Sequence, residues 1–279
     1  MSDLAPLWDR LARSWPGVDA LTFGAVVLMV AVTAAGEAIV GGRARRYFSR
    51  NAWTDVLYTL FYLGGFYGVF VSGPISRALK LAVDTYAPFL RIELARGLPV
   101  ALQALVFIVV GDLTRFLVHR LSHANPWLWQ FHRIHHSQDQ MTPWTNFRAH
   151  FGDFAVHSLA LFGLALVLGP SPGVWAPLSI LMMWQSLLVH TGFDWSFGPF
   201  DRLVVSPRYH AVHHSAEPQH FNRNFGMVFS FWDLAFGTAD MTSRRPAAFG
   251  LPGPRLPESF FKQLVWPFFT LASGKRRPS

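Results

Sequence analysis

The sequence predicts an all-α fold, a multi-span membrane helical bundle whose cytoplasmic face carries a histidine-rich helical cap. Three observations predict it. Hydrophobic residues make up 51% of the 279 positions and charged residues only 14%, with 26 Phe, which is too apolar for an ordinary soluble domain of this length. Several apolar runs reach or approach the ~20 residues that cross a bilayer as a helix. Nine histidines fall in three short boxes and one isolated position: His119-Arg-Leu-Ser-His123, His132-Arg-Ile-His135-His136 and His210-Ala-Val-His213-His214, with His190 between the last two. On a helix, positions i, i+3 and i+4 share a face, so each box is expected to present its imidazoles in one direction.

Taken in order, residues 21–40 are almost uncharged, interrupted only by Glu37 near the end, and read as a first span. Residues 56–71 are shorter and aromatic-rich. Residues 98–118 are long enough but carry Asp112 and Arg115 in their last two turns. Both are expected to span. Residues 154–168 and 174–189 flank Gly169-Pro-Ser-Pro-Gly173, a helix stop and turn, and form a helical hairpin, 154–189. At about 1.5 Å per residue each arm reaches only about 23 Å, short of a hydrocarbon core roughly 30 Å thick, so the hairpin is not required to cross. Its two ends return to one face in either case. The chain thus divides into a membrane-anchoring region with two spans (1–97), a unit with the third span, the hairpin and every box (98–240), and a cytoplasmic tail (241–279).

Basic residues orient the bundle. With Arg43, Arg45, Arg46 and Arg50 in the cytoplasm, the second span runs outward and the third returns, delivering His119 and His123 to the cytoplasmic surface. All three boxes and Lys275-Arg-Arg277 then share that side. Arg10, Arg13, Arg77, Lys80, Arg91 and Arg96 are left outside, and a surface-lying amphipathic segment accommodates those between 76 and 97. The net charge of +8 fits attraction to anionic lipid. Nucleic acid is not expected as a partner, because no nucleic-acid-binding motif accompanies the charge. No cleavable signal is expected, since residues 1–20 are mixed polar. Without cysteine there are no disulfides, thiolate metal sites or thiol nucleophiles.

A single histidine beside a core is ordinarily a hydrogen-bonded packing residue. Three boxes near apolar surface are different, because clustered neutral imidazoles are costly unless something satisfies their ring nitrogens, and a metal does. Nine imidazoles exceed what one ordinary ion accepts, whereas two ions with four or five nitrogens each consume them, so the cap is expected to hold a dinuclear site. Imidazole suits Fe, Zn, Cu and Ni, and the ligand type alone does not choose. Position at an apolar boundary favours oxidation of a lipid, since unactivated C–H bonds need a redox metal and O₂. Two other classes compete. A membrane metal transporter places ligands along the middle of its spans, and here they cluster at span ends. A zinc-dependent membrane hydrolase expects fewer ligands and a nearby Glu base, as in H-E-x-x-H, which is absent.

The order H-x-x-x-H, H-x-x-H-H, H-x-x-H-H resembles the fatty acid hydroxylase and sterol desaturase superfamily of integral-membrane non-haem di-iron oxygenases. The likeness covers about 106–240 and extends to Asp112 two turns before His119, Arg120, Ser137, Arg148-Ala-His150, Ser215, Asn222-Arg-Asn-Phe-Gly226 and Trp232-Asp-Leu-Ala-Phe-Gly-Thr238. It implies that 98–240 is the catalytic domain. It implies that His119, His123, His132, His135, His136, His190, His210, His213 and His214 ligate two irons, and that the reaction is O₂-dependent hydroxylation or desaturation of a lipid. Sterol, fatty acyl chain and sphingoid base all fit an apolar cleft, and no residue chooses among them. His150 and His220 stand where the family often carries His; His150 is taken as a further ligand and His220 as a residue orienting one.

Asp112 lies on the face of His119, where it either accepts the N–H of that imidazole or pairs with Arg115 at i+3. Asp153, Asp194 and Asp233 are weaker candidates for the same work. His157 is expected to be an interfacial packing residue. Trp127, Trp129, Trp144, Trp184 and 229–232 line a lipid cleft or form an interfacial belt. The reaction consumes electrons, yet there is no appended cytochrome domain and no G-x-G-x-x-G fingerprint, so a separate reductase or electron carrier on the cytoplasmic face is implied.

Overall fold

The computed structural model describes residues 20–41, 44–242, 244–252 and 256–273. Arg10, Arg13, Arg43 and Lys275-Arg-Arg277, used above to orient the chain, lie outside them. Among the described residues the fold is helical, with two isolated bridges in place of any sheet.

Helix α1 (Ala20–Gly41) coincides with the first expected span, and Val27–Val40 is the apolar stretch described within it. The second expected span is broken. α2 (Arg50–Leu63) starts at Ser49, whose hydroxyl accepts from the Ala52 N–H, and stops at Gly64 and Gly65. Gly65 has φ +90°, and a Cβ at Gly64 would collide with the Leu60 carbonyl, so this pair ends the helix for want of side chains. A π-helical turn, Gly68–Ser72, then leads into α3 (Gly73–Tyr86), bent 46° from α2. The charges after it pair locally: Asp84 accepts from Lys80 at 2.6 Å and from Arg91 Nε at 2.8 Å.

The third span is longer than expected. α4 (Val100–Ala124) runs unbroken through the first box, because Asp112 is satisfied by partners outside its helix. Asn125 ends α4 and caps α5 (Pro126–His132), accepting from the Trp127 and Leu128 N–H groups. Two helices, α6 (Phe151–Leu168) and α7 (Pro172–Val189), flank the expected turn, and each packs against α4. α6 begins three residues earlier than the apolar pattern suggests, since His150 caps it through the Gly152 N–H at 2.9 Å, and at ~1.5 Å per residue it is about 27 Å long. At its far end Ile92, Leu94 and Ala95 donate to the carbonyls of Leu166, Val167 and Leu168, satisfying acceptors a helix end leaves orphaned. Gly169 (φ +61°) turns the chain there, and a Cβ on it would meet Glu93 at 2.6 Å.

Among the described residues α4 and α6 are long and apolar enough to cross a membrane, and the α2–α3 pair adds a third such segment if its bent halves count as one. Only 28% of the apolar window of α4 and 11% of that of α6 is buried in protein, so their remaining surface needs an apolar surrounding. Short helices α8 (Pro207–His213) and α9 (Phe231–Phe236) complete the histidine-bearing end. The expected tail 241–279 is not simply a tail: α10 (Phe260–Ala272) packs Phe260 edge-on against Tyr58 of α2 and Phe268 against Phe131 of α5. The main core joins Met29, Val30, Tyr58, Ile134, Phe147, Leu187 and Phe260, tying α1, α2, α7 and α10 beneath the histidines.

Candidate metal centre

Nine buried imidazoles converge in two groups, His119, His123, His132, His136 and His213 in one, and His135, His190, His210 and His214 in the other. Within each group the available ligand atoms all lie within 4.8 Å of one another. The boxes do not each face one way, as helical spacing alone suggests. The second box sends His132 and His136 to the five-membered group and His135 to the other; the third sends His210 and His214 to the four-membered group and His213 across. α5 ends at His132 and α8 at His213, so the chain leaves helical geometry inside both boxes. His136 and His214 stack at 4.5 Å between ring centroids where the groups meet.

The outer nitrogens are held by fixed acceptors. His119 Nδ1 donates to the Phe225 carbonyl at 2.9 Å, His213 Nδ1 to Arg223 at 2.8 Å, His135 Nδ1 to Arg148 at 3.2 Å and His190 Nδ1 to Ser186 at 2.6 Å. His132 Nδ1 donates to Asp153 Oδ2 at 3.1 Å. These acceptors assign the ring proton to Nδ1 and leave Nε2 as a lone pair. The two carbonyls serving His119 and His213 come from 222–226, where Asn222 and Asn224 both take φ +58°. Asn224 is fully buried and locked by Tyr209 and Asp240. Asp233 accepts the Phe225 and Gly226 N–H groups at 2.8 and 2.7 Å, setting the Phe225 carbonyl under His119.

The inner nitrogens test whether a cation fits. His135 Nε2 and His190 Nε2 face each other at 3.1 Å, although both rings carry their proton on the opposite nitrogen. His210 Nε2 lies 3.1 Å from His190 Nε2 and 3.2 Å from His214 Nε2. In the other group His136 Nε2 is 3.1 Å from His123 Nε2 and 3.2 Å from His132 Nε2, while His119 Nε2 and His213 Nε2 are buried without any partner. Facing lone pairs repel unless a positive charge lies between them. Two nitrogens bonded at about 2.1 Å to one ion, in adjacent positions, are separated by about this distance. The donor set therefore fits a metal in each group. Burial, reinforced by neighbouring imidazoles, holds His135, His136, His210 and His214 well below the usual histidine range, and burial holds His190 at about 4 and His213 at about 3. Neutral imidazole is the form that binds metal.

The remaining candidates lie elsewhere. His150 joins neither group: its Nδ1 accepts from the Gly152 N–H while its Nε2 donates to the Leu264 carbonyl at 2.9 Å, so both nitrogens are used in capping α6 and fastening α10. His220 meets Ser215 Oγ at 2.8 Å, next to His214, and touches no histidine of either group. Asp112 accepts the Val228 and Phe229 N–H groups at 3.0 and 2.9 Å and lies within electrostatic reach of Arg115, so it does not bond an imidazole. The carboxylate that does orient an imidazole is Asp153. Asp194 pairs with Arg208 at the surface. Asp153→Asn is expected to weaken metal retention by the five-membered group by about 10–100-fold, measured by chelator competition, without unfolding the chain.

Two buried ionic clusters escaped the sequence reading. Arg148 and Asp55 are 2% and 0% exposed and pair at 2.7 Å, with Arg148 also reaching Ser137 Oγ at 3.1 Å; this fixes the carbonyl that orients His135. Glu37, which sequence marks only as an interruption, pairs with Arg46 and accepts from Tyr47. A Cβ at Gly192 would collide with both Glu37 and Arg46, so the loop after His190 is pressed against this cluster.

Residues 104–238 match the model of the fatty acid hydroxylase family. The chain is 30% identical to an ornithine lipid hydroxylase, OlsE, of Rhizobium tropici over 229 residues, covering 78% of this chain and 66% of the relative. It is 26% identical to methylsterol monooxygenase 1-3 of Arabidopsis thaliana, covering 57% of each chain, and 30% identical to human (Homo sapiens) cholesterol 25-hydroxylase, covering 47% and 48%. The chain thus spans about half to two thirds of the length of these relatives. No solved structure matches it significantly.

Proposed function

The chain belongs to the fatty acid hydroxylase family, and on that premise we propose that it is a membrane-bound, O₂-dependent di-iron oxidoreductase that hydroxylates or desaturates a lipid. The observation that carries this is the pair of imidazole groups whose inner Nε2 atoms face one another at 3.1–3.2 Å, His135 and His190 with their protons held on the outer nitrogens, beside the end of the membrane-length helix α4. His119, His123, His132, His136 and His213 hold one iron; His135, His190, His210 and His214 hold the other. When bound, the metals supply the redox chemistry that lets O₂ attack an unactivated C–H bond. The chain's own part is positional. Carbonyls of Ser186, Arg148, Arg223 and Phe225, with the Asp153 carboxylate, hold the rings at fixed angles. The lipid belongs to the broad class that the relatives' names span, from sterols to ornithine lipid. Electrons come from a separate reductase or carrier.

The same reading places the histidines and the C-terminus in the cytoplasm. Arg46, one of the basic residues that orient the chain, donates to the Met141 carbonyl at 3.2 Å, so this basic cluster and the histidines share one end of the bundle. A reporter fused after Ser279 is expected to read as cytoplasmic; a signal from the opposite side would overturn this topology and the docking side of the electron donor.

Cells expressing the chain are expected to accumulate a lipid that has gained an oxygen atom or lost a pair of hydrogens relative to its precursor. Comparative lipidomics checks this, and the product should vanish without O₂. It should also vanish in the His213→Ala, His214→Ala double variant, which takes one ligand from each group. Metal flux that depends on the chain, with no oxygen-dependent product, would replace this reading with a transporter.

A further inference from the structure

Helix α10 is apolar on both faces. Its inward face packs Phe260 on Tyr58 and turns its one amide, Gln263, to the Pro257 carbonyl at 2.7 Å. Its outward face leaves Phe261 73% and Phe269 67% exposed, with Val265, Phe268 and Ala272 on the same stripe, at positions i, i+4, i+7, i+8 and i+11. A helix that is hydrophobic all round belongs in a protein core or a membrane, and among the described residues nothing covers this stripe. Thirteen residues at about 1.5 Å each make about 20 Å, too short for a hydrocarbon core roughly 30 Å thick, so α10 does not cross. Its depth is fixed by one bond. His150, which caps the N-terminus of membrane-length α6, donates from Nε2 to the Leu264 carbonyl at 2.9 Å, so the middle of α10 lies level with the start of α6. That level is the membrane boundary on the histidine side, since the first turn of α6 carries Asp153, the partner of His132. Phe268 packs on Phe131 and Phe151 there. Neighbouring α2 exposes Trp53, Leu57 and Leu60 at helical spacing, so the apolar surface is not confined to α10. Cations flank the stripe: Lys262 is exposed in the first turn, and Lys275-Arg-Arg277 follow the last turn in sequence.

We infer that α10 is an in-plane membrane helix, lying in the boundary of the leaflet on the histidine side with its aromatic stripe among the acyl chains and Lys262 at the headgroups. The inference rests on α6 spanning the membrane and not on the metal. Aromatic side chains and flanking cations are the composition that holds a short helix at this depth, where anionic headgroups complement the charge. A second copy of the chain fits the stripe less well, because pairing two such stripes brings cationic ends together. The seating has a consequence for the histidines. Phe268 touches Phe131, the residue before His132, and Leu264 holds His150, so α10 anchors the second box at the leaflet surface.

The chain has no cysteine, so one introduced cysteine labels one position. Phe261→Cys, Val265→Cys and Phe269→Cys, each at an exposed position, are made in the full chain, labelled with an environment-sensitive fluorophore and reconstituted in bilayers of phosphatidylcholine with phosphatidylglycerol. Lys262→Cys marks the headgroup side, and Leu159→Cys, on the exposed surface of α6, reports whether that helix spans. Emission from the three stripe positions is expected to be blue-shifted from that of the label in water. Nitroxides high on the acyl chain should quench it more than nitroxides near the chain end or aqueous cobalt, which matches a depth of about 5–10 Å. Cobalt should reach the label at Lys262→Cys, and at Leu159→Cys the deep nitroxides should quench best. Water-like emission quenched by cobalt along the stripe, with Leu159→Cys still in lipid, overturns the seating alone. Water-like emission at Leu159→Cys too overturns the spanning of α6 along with it. Stripe emission that no lipid nitroxide quenches, and that changes as the protein is diluted in lipid, puts a second copy on this face and also overturns the inference.

Discussion

His135→Ala is expected to abolish lipid oxidation and to lower iron from two per chain to one or fewer, while the protein still inserts. His135 contributes one of the four imidazoles of its group, and its Nε2 faces that of His190 at 3.1 Å. Removing it leaves three ligands and frees the Arg148 carbonyl, whereas the five-membered group keeps every ring and every outer hydrogen bond. Metal analysis with iron-specific spectroscopy on anaerobically purified protein separates the outcomes. One equivalent of zinc with no iron in the wild type would sink the di-iron assignment.

Asp55→Ala is expected to destabilise the protein by about 3–5 kcal/mol, since deleting one member of a buried ion pair strands the other charge. Asp55 is fully buried, accepts from Arg148 at 2.7 Å and also from Gln138. Replacing both charges at once, as Asp55→Leu with Arg148→Met, should cost far less, because an apolar pair of similar volume needs no compensation. Thermal unfolding in detergent of the single and double variants checks this. A double variant as weak as Asp55→Ala would mean that the bonds from Arg148 to Ser137 and Asn51 carry the stability rather than the ion pair.

Much of the architecture was legible because apolar runs and breakers are local signals. The turn at Gly169-Pro-Ser-Pro-Gly173 and the helices on either side of it were readable, as was the third apolar helix despite Asp112 and Arg115. The bend between α2 and α3 was missed because hydropathy averages over Gly64 and Gly65, whose effect is conformational. α10 carries no local signal that sets it apart from a tail, because its value lies in what it touches, Tyr58, Phe131 and His150, each distant in sequence.

By itself the sequence pointed to a metal site built from clustered imidazoles, since their number and spacing near apolar surface leave few uses other than metal, but it counted His150 among them, and only the structure gathers the other nine without it. The sequence could not say how they divide. His135 and His136, or His213 and His214, are chain neighbours that serve different groups, because both pairs lie where the α-helix has ended, His135 and His136 in a 3-10 turn and His214 just past the last residue of α8, so adjacent side chains project apart. Only the packing of α5, α7 and α8 decides which direction meets which partner. The same holds for the acceptors behind the rings. Asp112 looked well placed for His119 and went to the 228–229 backbone, while Asp153 reached His132. His150, adjacent to the motif that suggested it, spends both nitrogens on backbone groups. A residue's chemistry is written in its side chain, but its partner is set by the three-dimensional supply of donors and acceptors, and burial requires each of those to be satisfied.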